Sequence, residues 1–142
     1  MQQLKHADGS AAIRIYGPDT WDGRGGTIAF NFLHPDGRVV DERFVNRVAA
    51  EHGISLRTGC FCNPGAAEVA FSLSKERLAA RFEEGLVLDD YLARVGMPTG
   101  GAVRVSLGIA TNFADVSRFM AFAAEFADLT DVPSDLPRRL AC

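Results

Sequence analysis

Lysine is nearly absent from this chain of 142 residues. Only Lys5 and Lys75 occur, and the other 13 of the 15 basic residues are arginine. A reaction that depends on a buried amine therefore has two candidate residues. Positive charge is not in excess either, since the net charge is −3 at pH 7, and we expect no nucleic-acid partner.

Long apolar runs and a disulfide framework are also missing. No apolar stretch approaches the roughly 20 residues of a membrane-spanning helix, and the N-terminus lacks the apolar core of a signal peptide, so we expect no membrane partner. The three cysteines are Cys60, Cys62 and Cys142, an odd number that does not indicate structural disulfides. We therefore predict a reducing, cytoplasmic location.

The composition is that of one globular domain, with 47% hydrophobic residues and a length too short for two packed α/β domains. The apolar patterns predict strands over 11–16, 27–33, 54–58 and 102–107, and helices over 41–51, 74–84, 89–95 and from Asn112 onward. This order predicts an α+β fold, a small and mostly antiparallel sheet of about four strands with helices packed on one face. We place the domain in residues 1–128 and a frayed tail in 129–142.

The segment Arg57-Thr58-Gly59-Cys60-Phe61-Cys62-Asn63-Pro64-Gly65 is the first candidate for chemistry. It places two thiols on a loop after a strand that carries an arginine, and a nearby guanidinium favours the nucleophilic thiolate. Buried, unreactive cysteines are an equally good interpretation from the spacing alone. A metal site is disfavoured, because two soft ligands fall short of the four in a closed zinc site and the three histidines are scattered.

Arg104 is the second candidate, in the middle of the apolar strand Ala102-Val103-Arg104-Val105-Ser106. Its guanidinium either points to solvent from a half-exposed sheet or forms a bidentate clamp for a carboxylate. The glycine-rich segment Gly23-Arg24-Gly25-Gly26 is the third candidate, and it matches no phosphate-binding fingerprint. We interpret it as a turn that borders a site at most.

Three stretches together resemble one known family. The segment over 54–66, which contains both loop cysteines, is similar to the signature of the molybdenum cofactor sulfurases and their bacterial cysteine desulfurase-like relatives. Pro98-Thr99-Gly100 with the strand around Arg104 resembles the second motif of the same family, and 24–32 resembles its bacterial members. The resemblance runs from about Tyr16 to Phe126. It implies the C-terminal small domain of a fold-type I, class V aminotransferase-like enzyme that uses pyridoxal phosphate.

The resemblance also implies site residues and partners. Cys62 would be the nucleophile that takes sulfur from L-cysteine as a persulfide while alanine is released, and Cys60 would assist or relay the sulfur. Arg104 would bind the α-carboxylate of the substrate, and Arg57 would support the carboxylate or the thiolate. The implied partners are a sulfur acceptor, either a cofactor or a carrier protein, and a second copy of the full-length enzyme in a homodimer.

The lysine that anchors pyridoxal phosphate belongs to a large domain that we expect to be absent here. Lys5 and Lys75 are not placed like that lysine, so we expect the isolated chain to be inactive. One departure is Gly101, which is one residue more than the family spacing and is expected to lengthen the loop before the strand. The segment over 108–112 also differs from the family. We further expect no downstream domain of the kind that the eukaryotic cofactor sulfurases carry, and this expectation argues against the molybdenum cofactor as the specific acceptor.

Three alternatives remain open at this point. The chain could be a stand-alone sulfur carrier or interaction module that accepts sulfur on Cys62 from a separate desulfurase. It could be a small metal-binding domain that uses Cys60, Cys62 and a distant histidine. Within the class V enzymes it could also serve a transaminase or a lyase, because fold does not determine the reaction.

Overall fold

Seven helices and strands form the described part of the chain, which in this computed structural model comprises residues 1–18, 20, 22–60, 70–72, 74, 85, 87–97, 99–133 and 135–137. In chain order they are β1 (Ile13–Tyr16), β2 (Thr27–Phe32), α1 (Glu42–Glu51), β3 (Arg57–Cys60), α2 (Leu88–Val95), β4 (Gly101–Ser106) and α3 (Phe113–Ala124). The predicted helix over 74–84 falls, apart from its first residue, outside the described residues.

The strands form one open sheet in the order β1-β2-β4-β3, and every neighbouring pair is antiparallel. β1 and β2 are consecutive in the chain and are antiparallel neighbours in the sheet. β4 comes from much later in the chain and inserts between β2 and β3. The predicted α+β fold with a small antiparallel sheet is confirmed.

One face of the sheet carries the hydrophobic core. Alternate residues of the strands point to this face, and the helices α1 and α3 cover it with their apolar sides. The core consists of Ile13, Phe30, Phe32, Val40, Val45, Ala49, Val103, Phe119, Phe122, Ala123 and Phe126. Phe32 is fully buried and stacks on Phe126, with 4.1 Å between the ring centroids.

The opposite face of the sheet, here called the polar face, carries the side chains of Arg14, Tyr16, Asn31, Arg57 and Arg104. These residues alternate with the core residues along their strands. The cross-strand register confirms the alternation, because Arg14 pairs with Asn31 and Arg57 pairs with Arg104. Two of the predicted site residues therefore share one surface.

Two predictions about strand ends are wrong. β3 covers Arg57–Cys60 rather than 54–58, because the backbone N–H of Ile54 donates to the Ala49 carbonyl at 2.8 Å and keeps that residue at the end of α1. Gly101 does not lengthen the preceding loop, since it is the first residue of β4 and pairs with Cys60. Both strand ends are determined by the pairing of β3 with β4.

The described residues after 128 lie against the domain. Leu129 and Val132 pack on the core, and Arg47 forms an ion pair with Asp135 at 3.3 Å. The domain boundary at residue 128 stays a prediction. Among the helices in the described ranges, none is long and apolar enough to cross a bilayer.

Candidate functional site

Arg57 and Arg104 are directly opposite each other on the polar face. Their Cα atoms are register partners in the antiparallel pair of β3 and β4, and both residues are exposed. Residues opposite each other in such a pair have Cβ atoms about 5 Å apart. The two guanidinium groups are therefore within reach of the same small anion.

Neither of these arginines has an acidic partner among the described residues. Arg38, Arg43 and Arg47 form ion pairs with aspartates, whereas within the described residues the side chains of Arg57 and Arg104 form neither an ion pair nor a hydrogen bond. Like charges directly opposite each other destabilise a sheet. An anion with two or more oxygens, such as a carboxylate, would remove that repulsion and match the planar donors of arginine.

A cross-strand row continues from the arginine pair toward the other edge of the sheet. Arg104 is the register partner of Ala29, and Ala29 is the partner of Tyr16. Ala29, between the arginine and the tyrosine in this row, has a small side chain. Burial raises the pKa of Tyr16 above its usual value, against the opposing effect of Arg14. The hydroxyl therefore stays protonated and donates to Asn31 Oδ1 at 2.8 Å.

β3 ends in a backbone conformation that requires glycine. Gly59 has a φ of +125°, in the region that L side chains rarely adopt. A Cβ atom at this position would meet no atom of the described residues within 4 Å, so it is the backbone conformation that favours glycine here. Cys60 follows as the last residue of the strand, and its backbone pairs with Gly101. Cys62 lies outside the described residues.

A buried polar cluster lies at the start of β4. Thr99 and Asn31 are fully buried, and Glu42 is 3% exposed. Thr99 bonds to Glu42, and Asn31 bonds to the Gly101 carbonyl. Sequence reasoning missed Tyr16, Asn31 and Glu42 as members of this region. The available signal was Asn31, the one polar residue within the apolar run 28–32 of this strand.

The glycine-rich segment over 23–26 serves as a turn. Arg24 donates to the carbonyls of Tyr16 and Pro18, which fixes the connection between β1 and β2. Arg24 and Gly26 also line a cavity of about 420 Å³ on the core side of the sheet. The walls of this cavity include Ile15, Ile28 and Val105, whose side chains point away from the polar face. The cavity and the arginine pair are therefore separate places.

The described residues contain neither a metal cluster nor a lysine at the arginine pair. No group of three or more His, Cys, Asp or Glu side chains among them could hold a metal ion. Lys5 is exposed and forms an isolated β-bridge with Ala11, just before β1. Lys75 lies outside the described ranges. Among the described residues, Arg57 and Arg104 can therefore bind an anion, and no lysine amine lies beside them.

Comparison with known proteins finds relatives that are molybdenum cofactor sulfurases. Molybdenum cofactor sulfurase 3 of Aedes aegypti is 39% identical over 120 residues, which cover 82% of this chain and 16% of that protein. Molybdenum cofactor sulfurase of Arabidopsis thaliana is 39% identical over 127 residues, 86% of this chain and 15% of that protein. The protein of the same name from Solanum lycopersicum is 42% identical over 120 residues, 84% of this chain and 14% of that protein.

The chain thus spans about one sixth of the length of these curated relatives. No family model and no solved structure matches it.

Proposed function

Since the chain is homologous to molybdenum cofactor sulfurases over most of its own length, we propose that it is the sulfur-handling part of a larger enzyme of this kind. In this proposal the enzyme takes sulfur from L-cysteine as a persulfide on Cys62 and releases alanine. The observation that supports it most directly is the pair of Arg57 on β3 and Arg104 on β4, whose side chains have no acidic partner among the described residues. The same strand β3 carries Cys60 and lies just before Cys62 in the chain.

Arg104 binds the α-carboxylate of the substrate in this proposal, and Arg57 supports it from the neighbouring strand. Arg57 and Arg104 lie on neighbouring strands of a hydrogen-bonded sheet, so the backbone at both residues is in place before the substrate binds. Two planar donor groups can hold both carboxylate oxygens. The same positive charge favours the ionised form of a thiol that is brought near it.

The sulfur transfer requires no external oxidant, because the electrons of the broken bond stay with the products. The Cys62 thiolate attacks the sulfur of the substrate, a sulfur–sulfur bond forms and the carbon–sulfur bond of the substrate breaks. The carbon takes the bonding electron pair and a proton, which gives alanine, and the sulfur stays on Cys62 as a persulfide. Cys60, two residues away, assists or relays the sulfur to the acceptor.

Carbon–sulfur cleavage requires an electron sink, and pyridoxal phosphate supplies this chemistry in the proposed enzyme. The described residues do not fit this cofactor by themselves, because they bring no lysine to the arginine pair. We therefore place its lysine in a large domain outside this chain and expect the isolated chain to be inactive. The enzyme is proposed as a cytoplasmic homodimer, with the molybdenum cofactor or a carrier protein as the sulfur acceptor.

The test uses the full-length protein that contains this chain, supplied with L-cysteine. Alanine release and the added sulfur on each cysteine are measured, the latter by mass spectrometry of the peptides. We expect Cys62→Ser to abolish both signals, and Cys60→Ser, the matched control, to retain alanine release. Arg104→Gln is expected to raise the KM for cysteine. Full alanine and persulfide production by Cys62→Ser would overturn the assignment.

The alternative of a stand-alone sulfur carrier predicts a different result. The chain would then receive sulfur on Cys62 only when a separate cysteine desulfurase is present. The same measurement with and without that enzyme distinguishes a carrier from a catalytic part.

A further inference from the structure

We propose that Glu42, Thr99 and Asn31 are positioning residues that hold the backbone of Gly101, and through it the end of β3, where Cys60 lies two residues before Cys62. This inference rests on the proposed function, because β3 lies just before the proposed nucleophile Cys62 in the chain and pairs with the strand of Arg104. None of these three residues lies on the exposed surface beside the arginine pair.

Thr99 is the centre of the arrangement. Its hydroxyl donates to Glu42 Oε2 and accepts from the backbone N–H of Gly101 at 3.0 Å. One hydroxyl donates one hydrogen and accepts others, so both contacts are made at once. Glu42 is the first residue of α1, where the helix dipole stabilises a negative charge. The start of β4 is thereby joined to α1 through a fully buried side chain.

Asn31 binds the carbonyl of Gly101, whose N–H is bound by Thr99. Its Nδ2 donates to the Gly101 carbonyl at 3.3 Å, and its Oδ1 accepts from the Tyr16 hydroxyl at 2.8 Å. Asn31 is itself fully buried in β2. The backbone N–H and the carbonyl of Gly101 are thus both bound by buried side chains, which come from different parts of the chain.

Gly101 has no side chain that could anchor it, so within this proposal its backbone is held by these two bonds. Its register partner is Cys60, so the position of Gly101 determines where the backbone of β3 ends. The preceding residue is also confined, since a Cβ atom on Gly100 would lie 3.0 Å from a methyl group of Leu92. Fully satisfied buried networks favour one arrangement of the chain over its alternatives. Here that arrangement joins the strand of Arg104 to the strand of Cys60.

The experiment compares Thr99→Val, which removes the hydroxyl at nearly equal volume, with Thr99→Ser, which keeps it. In the whole chain, hydrogen exchange is measured by mass spectrometry for peptides from β3, β1 and α3. Loss of a buried hydrogen bond is expected to speed exchange in β3 by about tenfold in Thr99→Val, with β1 and α3 unchanged. Thr99→Ser is expected to exchange like the wild type.

A second readout is specific to the cysteines. We expect Thr99→Val to change the iodoacetamide alkylation rate of Cys62 relative to Cys142, and Thr99→Ser to restore the wild-type ratio. Unchanged exchange in β3 would overturn the proposal, as would equal acceleration in all three peptides. If Thr99→Val fails to fold, Glu42→Gln serves as the milder variant with the same expected pattern. Absence of persulfide on wild-type Cys62 would instead count against the proposed function alone.

Discussion

At the scale of single residues, the pairing of Arg57 with Arg104 is an unfavourable arrangement that the fold retains. Two positive charges directly opposite each other repel, and no carboxylate among the described residues offsets them. Binding sites commonly carry such locally destabilising arrangements, because the ligand supplies the missing partner. Removal of one of the two charges should therefore raise the stability of the protein in the absence of a ligand.

We expect Arg57→Gln to raise the free energy of unfolding by about 0.5 kcal/mol at low ionic strength. Because exposed charges are screened by salt, the gain should shrink in concentrated sodium chloride. Urea unfolding at both salt concentrations is the measurement, and Arg118→Gln on the exposed side of α3 is the control. If Arg57→Gln instead lowered the stability equally at both salt concentrations, the predicted repulsion between Arg57 and Arg104 would be contradicted.

At the scale of helices and strands, the helix ends are determined locally. Asp41 precedes α1, and its side chain accepts a hydrogen bond from the Arg43 N–H. Asn112 precedes α3 in a full capping box, in which its side chain accepts from the N–H of Asp115 and the Asp115 side chain accepts from the N–H of Asn112. Such ends depend on residues within one turn, so the sequence suffices to predict them.

We expect Asn112→Ala to lower the free energy of unfolding by about 1 kcal/mol, because free N–H groups at the start of α3 lose their acceptor. Asn46→Ala is the matched control, since Asn46 is exposed within α1 and alanine is the better helix former there. Urea unfolding of both variants checks the prediction. Equal losses in the two variants would show that the capping bonds contribute nothing.

Strand ends and the candidate site depend on residues that are distant in sequence. The apolar patterns predict the existence of all four strands, yet β3 is displaced because its extent is determined by β4. The motifs single out Arg57 and Arg104, but only the register makes them neighbours. Asn31 and Glu42 reach Gly101 from two other elements, and no local pattern contains that information.

At the scale of the whole molecule, apolar side chains are exposed in the connection between β4 and α3 and at the first residue of α3. Leu107 is 54% exposed and Phe113 is 86% exposed, and Ile109 between them is fully exposed. Leu107 also lines the cavity on the core side of the sheet. An apolar surface of this kind favours association when nothing covers it. The chain also corresponds to only about one sixth of its relatives' length.

We therefore expect the chain to self-associate with rising concentration through the surface formed by Leu107, Ile109 and Phe113. Ile109→Asp should shift the sedimentation velocity profile toward monomer, because burying an unpaired carboxylate in a contact is unfavourable. Ala121→Asp adds the same charge at an exposed position on α3 and should leave the association unchanged. A wild-type chain that sediments as a monomer at every concentration, or equal effects of the two variants, would contradict a specific role for Leu107, Ile109 and Phe113.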